Sequence, residues 1–228
     1  MRLGLDIDGV LADFIPAYQD LFIELTGRDT FARDDRRDPP EWNWPTLRGY
    51  TKEETAAVWE AIKADPLFWL NLGEDVGCPT LRTLLPELER EHEVYYVTTR
   101  LGIRPRRQTE IWLTEHLRYQ VGALTGYRPT VLIAAYQQKG LLAKGLALDV
   151  FIDDNVENAN QIAWGTVPGV LDYIMKGAAV EIDMAAAPTC RVYLLNRGYN
   201  KDAELHPSIV RVDTLGQMFD REIALGNL

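Results

Sequence analysis

This sequence predicts an α/β fold in which helices cover both faces of a parallel sheet. Short apolar segments of strand length alternate along the chain with amphipathic segments of helix length, which is the pattern of a sheet built from strand–helix–strand units. Several of the strand-like segments run directly into Asp or Thr. A helix-rich insertion at residues 15–77 follows the first of them, so we expect a core formed by residues 1–14 and 78–228.

The first predicted strand is the apolar segment 3–7, which ends in two carboxylates one residue apart, Asp6 and Asp8, followed by Gly9. Taken alone, this acidic turn fits a solvated strand end as well as a functional site, because Asp and Gly are common turn residues. At the end of a buried strand, two such carboxylates would repel each other and lose water. A divalent cation is the usual compensation, and Mg²⁺ takes oxygen ligands.

The insertion is predicted to be mainly helical. Apolar residues recur at helical spacing from Ala12 to about Gly27. Residues 28–50 carry prolines and mixed charges, which predict an irregular loop. Thr51 and Glu54 match a capping box that opens a helix ending near residue 64. Residues 67–77 then form an apolar connector that ends in turn residues.

From residue 79 onwards, predicted helices and strands alternate. The predicted helices lie at about 79–91, 105–117, 138–147, 157–163 and 215–224. The predicted strands lie at 93–97, 130–133, 149–152, 191–195 and 209–212. Residues 164–188 look like an additional segment, with strand-like stretches at 170–174 and 180–182.

The predicted topology gathers polar residues that are far apart in the sequence. Asp6, Asp8, Thr98 and Asp153 all stand at the carboxyl ends of predicted strands. In a parallel sheet these ends share one edge, and ligands bind there. Lys139 begins a predicted helix and can reach the same edge.

Composition and charge restrict the class of protein. The 228 residues can bury one sizeable core, and no apolar run approaches the roughly 20 residues of a membrane-spanning helix. The absence of a signal-peptide pattern and the wide spacing of Cys78 and Cys190 favour a cytoplasmic protein. A net charge of −10 argues against a nucleic acid polymer as partner, but a bound Mg²⁺ would still permit a small phosphorylated substrate. We expect no membrane partner, and a homodimer is compatible with the sequence.

Four short motifs together resemble those of the haloacid dehalogenase-like (HAD) hydrolase superfamily. They are residues 6–10, Thr98 at the end of a hydrophobic strand, Lys139, and residues 151–155, Phe-Ile-Asp-Asp-Asn. The resemblance covers residues 1–14 and about 93–200, and it implies a Rossmann-like α/β core. It also implies that a carboxylate, Asp6, attacks phosphorus and forms an aspartyl-phosphate. Asp8 would then protonate the leaving group and later activate water.

The second aspartate separates branches of that superfamily. The dehalogenases lack it and the transport ATPases have Thr there, so Asp8 favours a phosphatase. The resemblance further implies a Thr98 hydroxyl and a Lys139 ammonium that neutralise the transferred phosphoryl group. Two alternatives stay open. Thr99 is a rival of Thr98, and Lys144 on the same predicted helix is a rival of Lys139, which we favour because it begins the helix.

Magnesium is the cofactor that the resemblance implies. Asp6, the backbone carbonyl of Asp8, and Asp153 would hold the ion, with Asp154 binding directly or through water. The alternative for Asp153 and Asp154 is that they only cap the helix that follows.

The helical insertion corresponds in position to a cap and resembles that of the 5'(3')-deoxyribonucleotidase family. That family shares the run at residues 6–14 and an aromatic pair like Phe68 and Trp69 ahead of a turn and helix. An aromatic wall would suit stacking on a nucleobase. We therefore expect Phe14, Phe68 and Trp69 to contact the substrate. Other tryptophans of the cap are weaker candidates (Trp42, Trp44) or packing residues (Trp59).

The second motif departs from that family's usual Thr-Ser-Pro, because it reads Thr98-Thr99-Arg100. Thr99 and Arg100 are therefore further candidates for substrate contact, although Arg100 could also be an exposed residue at a helix start. The sequence thus predicts a Mg²⁺-dependent phosphomonoesterase of (deoxy)nucleoside 5'-monophosphates. The alternatives are a phosphatase of another small phosphate, such as a sugar phosphate, and a non-catalytic binding module on the same fold.

Overall fold

A computed structural model describes residues 1–31, 38–118, 128–165 and 190–228. Its strands, numbered along the chain, are β1 (Arg2–Leu5), β2 (Ala12–Asp13), β3 (Gly73–Glu74), β4 (Glu93–Thr98), β5 (Thr130–Ile133), β6 (Val150–Asp153), β7 (Arg191–Leu195) and β8 (Val210–Val212). Its α-helices are α1 (Phe14–Thr26), α2 (Trp44–Leu47), α3 (Lys52–Ala64), α4 (Gly77–Glu91), α5 (Pro105–Arg118), α6 (Lys139–Gly145), α7 (Val156–Trp164) and α8 (Leu215–Ala224).

One sheet dominates the core. Its strand order is β5-β4-β1-β6-β7-β8, and every pairing in it is parallel. Side chains alternate between its two faces, as the pleat requires. Ile152 belongs to a buried cluster with residues of α4, α5 and α8, whereas its neighbour Phe151 belongs to a second cluster with residues of α6 and α7. Helices therefore cover both faces, and the predicted α/β architecture is confirmed.

The inserted segment joins the core through a short ribbon. β2 and β3 pair antiparallel, with Ala12 opposite Glu74 and Asp13 opposite Gly73. The segment between these two strands is the one that we predict to be the cap. The boundaries predicted for the cap, residues 15–77, fall just after each of the two strands.

Within the cap, α1 and α3 form as predicted. The capping box of α3 is present, because the Glu54 amide donates to Thr51 Oγ1 at 3.1 Å and the Thr51 amide donates to Glu54 Oε2 at 2.7 Å. The prediction of an irregular loop over residues 28–50 is wrong at α2, Trp44–Leu47. Pro45 lies in the first turn of that helix, where a missing N–H costs nothing.

Aromatic rings of the inserted segment pack together and are continuous with the buried cluster on one face of the sheet. The ring of Phe22 lies 5.1 Å from Tyr18, 5.2 Å from Trp44 and 4.5 Å from Tyr50, measured between centroids. Such tilted and edge-on aromatic pairs stabilise the packing of these rings. The buried Trp44 attaches α2 to this cluster.

Two further observations concern the extent of the fold. The strand-like stretches predicted at 170–174 and 180–182 lie outside the described residues. Trp164, the first residue of the segment predicted to be additional, is the last residue of α7. Across the four described ranges, no helix combines the length and the apolar character needed to cross a membrane.

Candidate active site

The carboxyl edge of the sheet holds a cluster of acidic residues around one lysine. Asp6 follows β1, and Asp153 ends β6 beside it. Lys139, the first residue of α6, places its Nζ 2.7 Å from Asp6 Oδ1 and 2.8 Å from Asp153 Oδ2. The Ile7 amide also donates to Asp6 Oδ1, at 2.7 Å. The structure thus brings Asp6 next to Lys139 and Asp153, which both lie more than a hundred positions later in the sequence.

Lys139 and its rival Lys144 occupy different environments. Lys139 is buried, with 2% of its surface exposed, whereas Lys144 is exposed in the last turn of α6. Burial opposes the charge of the Lys139 ammonium, but Asp153 and Asp6 outweigh that effect and hold its pKa above the usual value. Lys139 is therefore the lysine of the acidic cluster.

Three carboxylates in this cluster could share one cation. Asp6, Asp153 and Asp154 are all buried, and each offers an oxygen within 4.8 Å of those of the other two. Burial, together with repulsion from Asp153, raises the pKa of Asp6 well above its usual range and that of Asp154 to about 7. Three hard oxygen donors with one ammonium fit a divalent cation such as Mg²⁺, which would relieve this repulsion.

The turn that contains Asp8 and Gly9 packs closely against the Asp154 carboxylate. Gly9 has a φ of +80°, and a Cβ at this position would lie 2.1 Å from Asp154 Oδ2. Glycine adopts this conformation without strain and leaves this space. Arg197 donates to the Gly9 carbonyl through Nε at 3.1 Å and to Asp75 Oδ1 at 2.6 Å, which fixes the turn to the end of the ribbon.

Asp8 belongs to a separate hydrogen-bonded group. Thr98 Oγ1 donates to Asp8 Oδ2 at 3.0 Å, and Arg100 donates to both carboxylate oxygens at 2.7–3.1 Å. Arg100 is 1% exposed, so the alternative of an exposed helix-start residue is wrong. Its side chain lies behind Asp8 and is not among the residues that line the adjacent cavity.

A cavity of about 760 Å³ opens above both groups and extends under the cap. Of the predicted substrate contacts, Phe14, Trp69 and Thr99 line it, and Thr98 does so as well. Phe68 is 7% exposed and packs edge-on against Trp69 at 4.9 Å, and it does not line the cavity. Cap aromatics that we ranked lower do line it, namely Trp42, Trp44 and Trp59, and so does Tyr18.

Tyr199 is a site residue that the sequence reasoning missed. Its hydroxyl donates to Asp154 Oδ2, its ring lines the cavity, and Trp42 of the cap packs edge-on against it at 5.2 Å. The available signal was its position just after the carboxyl end of β7, the edge at which the other site residues meet.

Comparisons with known proteins identify the fold. No family model matches the sequence, and no curated protein matches it. Among solved structures, a candidate haloacid dehalogenase-like hydrolase of Burkholderia xenovorans is similar at a TM-score of 0.53 and 13% identity, covering 98% of this chain and 96% of that one. A hydrolase of Pseudomonas syringae gives 0.52 and 14%, with coverage of 97% and 99%.

A third similar structure is a candidate HAD hydrolase of Bacillus subtilis bound to magnesium. Its TM-score is 0.50 at 11% identity, and the match covers 96% of this chain and 97% of that one. At such low sequence identity the similarity shows only the fold. All three structures share that fold over almost the whole chain. The protein has the fold of the haloacid dehalogenase-like hydrolases.

Proposed function

We propose that this protein is a Mg²⁺-dependent phosphomonoesterase whose preferred substrates are (deoxy)nucleoside 5'-monophosphates. The observation that carries the proposal is the arrangement at the sheet edge, where Asp6 faces the cavity beside Lys139 while Asp8 stands two residues away. A nucleophile, an acid–base group and a cation are the parts that phosphoryl transfer requires. The presence of all of these groups at one sheet edge supports an enzyme over a module that only binds a ligand.

The proposed reaction has two steps. An Asp6 oxygen forms a bond to phosphorus while the bond from phosphorus to the leaving oxygen breaks, and Asp8 gives that oxygen its proton. Water then attacks the aspartyl-phosphate, Asp8 takes a proton from it, and phosphate leaves Asp6 unmodified. Lys139 supplies positive charge to the phosphoryl oxygens, and a threonine hydroxyl donates a hydrogen bond to them. Thr98 and Thr99 both line the cavity, but the Thr98 hydroxyl donates its one proton to Asp8 Oδ2, so we assign the phosphoryl contact to Thr99.

Mg²⁺ is the cofactor that this carboxylate set would hold. Asp6, Asp153 and Asp154 offer the oxygens, and the Asp8 carbonyl is the further ligand that the sequence suggests. The ion would supply positive charge next to the phosphoryl group. The magnesium in the structure from Bacillus subtilis supports this assignment by analogy.

The stability of the metal-free protein should depend on pH. Burial and Asp153 raise the pKa of Asp154 from its usual 3.8 to about 7. Between these values the unfolded chain has lost a proton that the folded chain keeps, so the free energy of unfolding falls as pH rises. In chelator, we expect Tm to decline through this window, and Asp154→Asn to flatten the decline.

Adding Mg²⁺ should raise Tm more at about pH 8, where the carboxylates are charged, than at about pH 5. Differential scanning fluorimetry at both pH values, with Mg²⁺ and with chelator, measures the difference. Equal metal-induced shifts at the two pH values, or an Asp154→Asn variant that still responds like the wild type, would contradict the assignment.

The aromatic lining of the cavity supports a nucleotide as substrate. Trp42 presents its ring to the same cavity as Asp6, and a stacked base gains about 1–3 kcal/mol on such a surface. Trp42 is 57% exposed, so it can be replaced without loss of the core. Trp42→Leu should raise KM for nucleoside monophosphates about 10-fold and leave β-glycerol phosphate, which has no ring, unaffected.

The experiment is a phosphate-release panel of nucleotides, sugar phosphates and β-glycerol phosphate, with Mg²⁺ and with chelator. The matched control is Trp164→Leu, because Trp164 makes a similar edge-on contact, with His206 at 5.3 Å, away from the cavity. Phosphate release from sugar phosphates alone would support the proposed mechanism and contradict the proposal that nucleotides are the preferred substrates. No release from any ester would favour the non-catalytic module.

A further inference from the structure

Arg100 carries a charge that is completely removed from solvent. Its side chain is 0% exposed, and its described acidic partner is Asp8, whose own side chain is 21% exposed toward the cavity. A buried guanidinium is stable only when its donors are satisfied. Here Nε and Nη2 bond the Asp8 carboxylate, and Nη1 donates to Thr109 Oγ1 at 3.0 Å.

This contact determines how the Asp8 carboxylate is oriented. Nη2 lies 2.7 Å from Oδ1 and Nε lies 3.1 Å from Oδ2, which is the two-pronged geometry of an Arg–carboxylate pair. The terminal torsion of an aspartate otherwise rotates broadly. Thr98 adds a donor to Oδ2, so the plane of the carboxylate is held from two sides.

Trp69 from the cap completes the binding site of the guanidinium. Arg100 Cζ lies 5.1 Å from the Trp69 ring and 5.9 Å from the Trp112 ring of α5. Both indoles are anchored, because Trp69 Nε1 donates to the Leu101 carbonyl and Trp112 Nε1 to the Leu72 carbonyl, each at 2.8 Å. Arg100 therefore contacts both Trp69 of the inserted segment and the Asp8 carboxylate, and it couples the packing of the first to the orientation of the second.

We propose that Arg100 is a positioning residue that holds the Asp8 carboxylate in place for proton transfer to the leaving oxygen and from the attacking water. The inference rests on the proposed function, in which Asp8 performs both transfers. Arg100 acts through the Asp8 side chain, because its hydrogen bonds go to the Asp8 carboxylate and to Thr109 and not to Asp6, Asp153 or Asp154. Lysine cannot replace it, because an ammonium has no two-pronged geometry.

The test separates proton transfer from other steps by the choice of ester. p-Nitrophenyl phosphate releases a stable anion that needs no proton, whereas β-glycerol phosphate releases an alkoxide that must be protonated. In Arg100→Met, the first turnover of p-nitrophenyl phosphate, seen as a nitrophenol burst, should keep a rate within about 5-fold of wild type. Steady-state release from both esters should fall about 100-fold, and the KM for p-nitrophenyl phosphate should fall with it, because the aspartyl-phosphate accumulates.

A double-mutant comparison distinguishes positioning from a general structural role. If Arg100 acts through Asp8, the combination of Arg100→Met with Asp8→Asn should lose no more turnover than Asp8→Asn alone. Arg100→Lys should resemble Arg100→Met. The control is Arg106→Met, which removes an exposed arginine of α5 and should leave both rates unchanged.

Thr109→Val provides a test that does not depend on the folding of Arg100→Met. It removes one acceptor of the guanidinium while keeping the size of the buried side chain, and should reproduce the burst pattern with a loss of about 5-fold. A burst that falls as much as the steady state, additive losses in the double mutant, or an unaffected Thr109→Val paired with an active Arg100→Lys would overturn the inference. A wild type without activity toward any ester would overturn the proposed function itself, and this inference with it.

Discussion

Asp6→Asn should abolish phosphate release, with a loss of at least about 10⁴-fold in kcat. The amide is not a nucleophile, so the aspartyl-phosphate cannot form. The fold should survive, because the amide oxygen still accepts from the Ile7 amide and from Lys139, the donors that now bond Asp6 Oδ1. Acid quenching of the wild type during turnover should trap a phosphorylated protein, and the same treatment of the variant should not.

The same substitution should raise the stability of the metal-free protein. Burial, followed by repulsion from Asp153, holds the pKa of Asp6 far above its usual range, so its ionised form costs free energy near neutral pH. A neutral amide avoids that cost. In chelator we therefore expect a higher Tm for Asp6→Asn than for the wild type, and a smaller response to Mg²⁺. Opposite movements of activity and stability are typical of residues kept for function.

The control is Asp220→Asn, on the exposed side of α8, which should change neither activity nor Tm. An Asp6→Asn variant that retains turnover within about 100-fold of the wild type would mean that another group attacks phosphorus. A variant that loses both activity and stability would mean that Asp6 has a mainly structural role.

The sheet edge was predictable because local and global rules agree there. Short apolar segments, alternating with helical segments along the chain, predicted the strands. The rule that parallel strands end at one edge then placed Asp6, Thr98 and Asp153 together. The capping box of Thr51 is likewise a purely local signal, and it is present. None of these inferences required knowledge of how the cap packs on the core.

The features that escaped prediction depend on that packing. The sequence near Arg100 does not predict that the indole rings of Trp69 and Trp112 bury it against Asp8. For the same reason the sequence did not show which aromatic rings face the cavity: Trp42 lines it, whereas Phe68 packs behind Trp69. Which ring faces a cavity is decided by tertiary contacts, and a single sequence does not encode them in any local pattern.

Lys139→Met should lower both the stability and the activity of the protein. The lysine is buried between Asp6 and Asp153, and removing one partner of a buried ion pair costs about 3–5 kcal/mol. For a chain of this length, that cost corresponds to a Tm lower by roughly 6–20 °C. kcat should fall at least about 100-fold, because the phosphoryl group loses a fixed positive charge.

Lys144→Met is the matched control, since both lysines belong to α6 and only Lys139 is buried. It should leave kcat and Tm unchanged. In Lys139→Met, Mg²⁺ should restore part of the Tm by supplying charge to the same carboxylates, but it should restore little turnover, because an ion bound by the acids cannot also occupy the position of the ammonium. Thermal scans and phosphate release, each measured with Mg²⁺ and with chelator, test both statements. If Lys144→Met loses activity while Lys139→Met keeps it, the contacts of Lys139 with Asp6 and Asp153 serve only to neutralise buried acids, and the phosphoryl group is bound elsewhere.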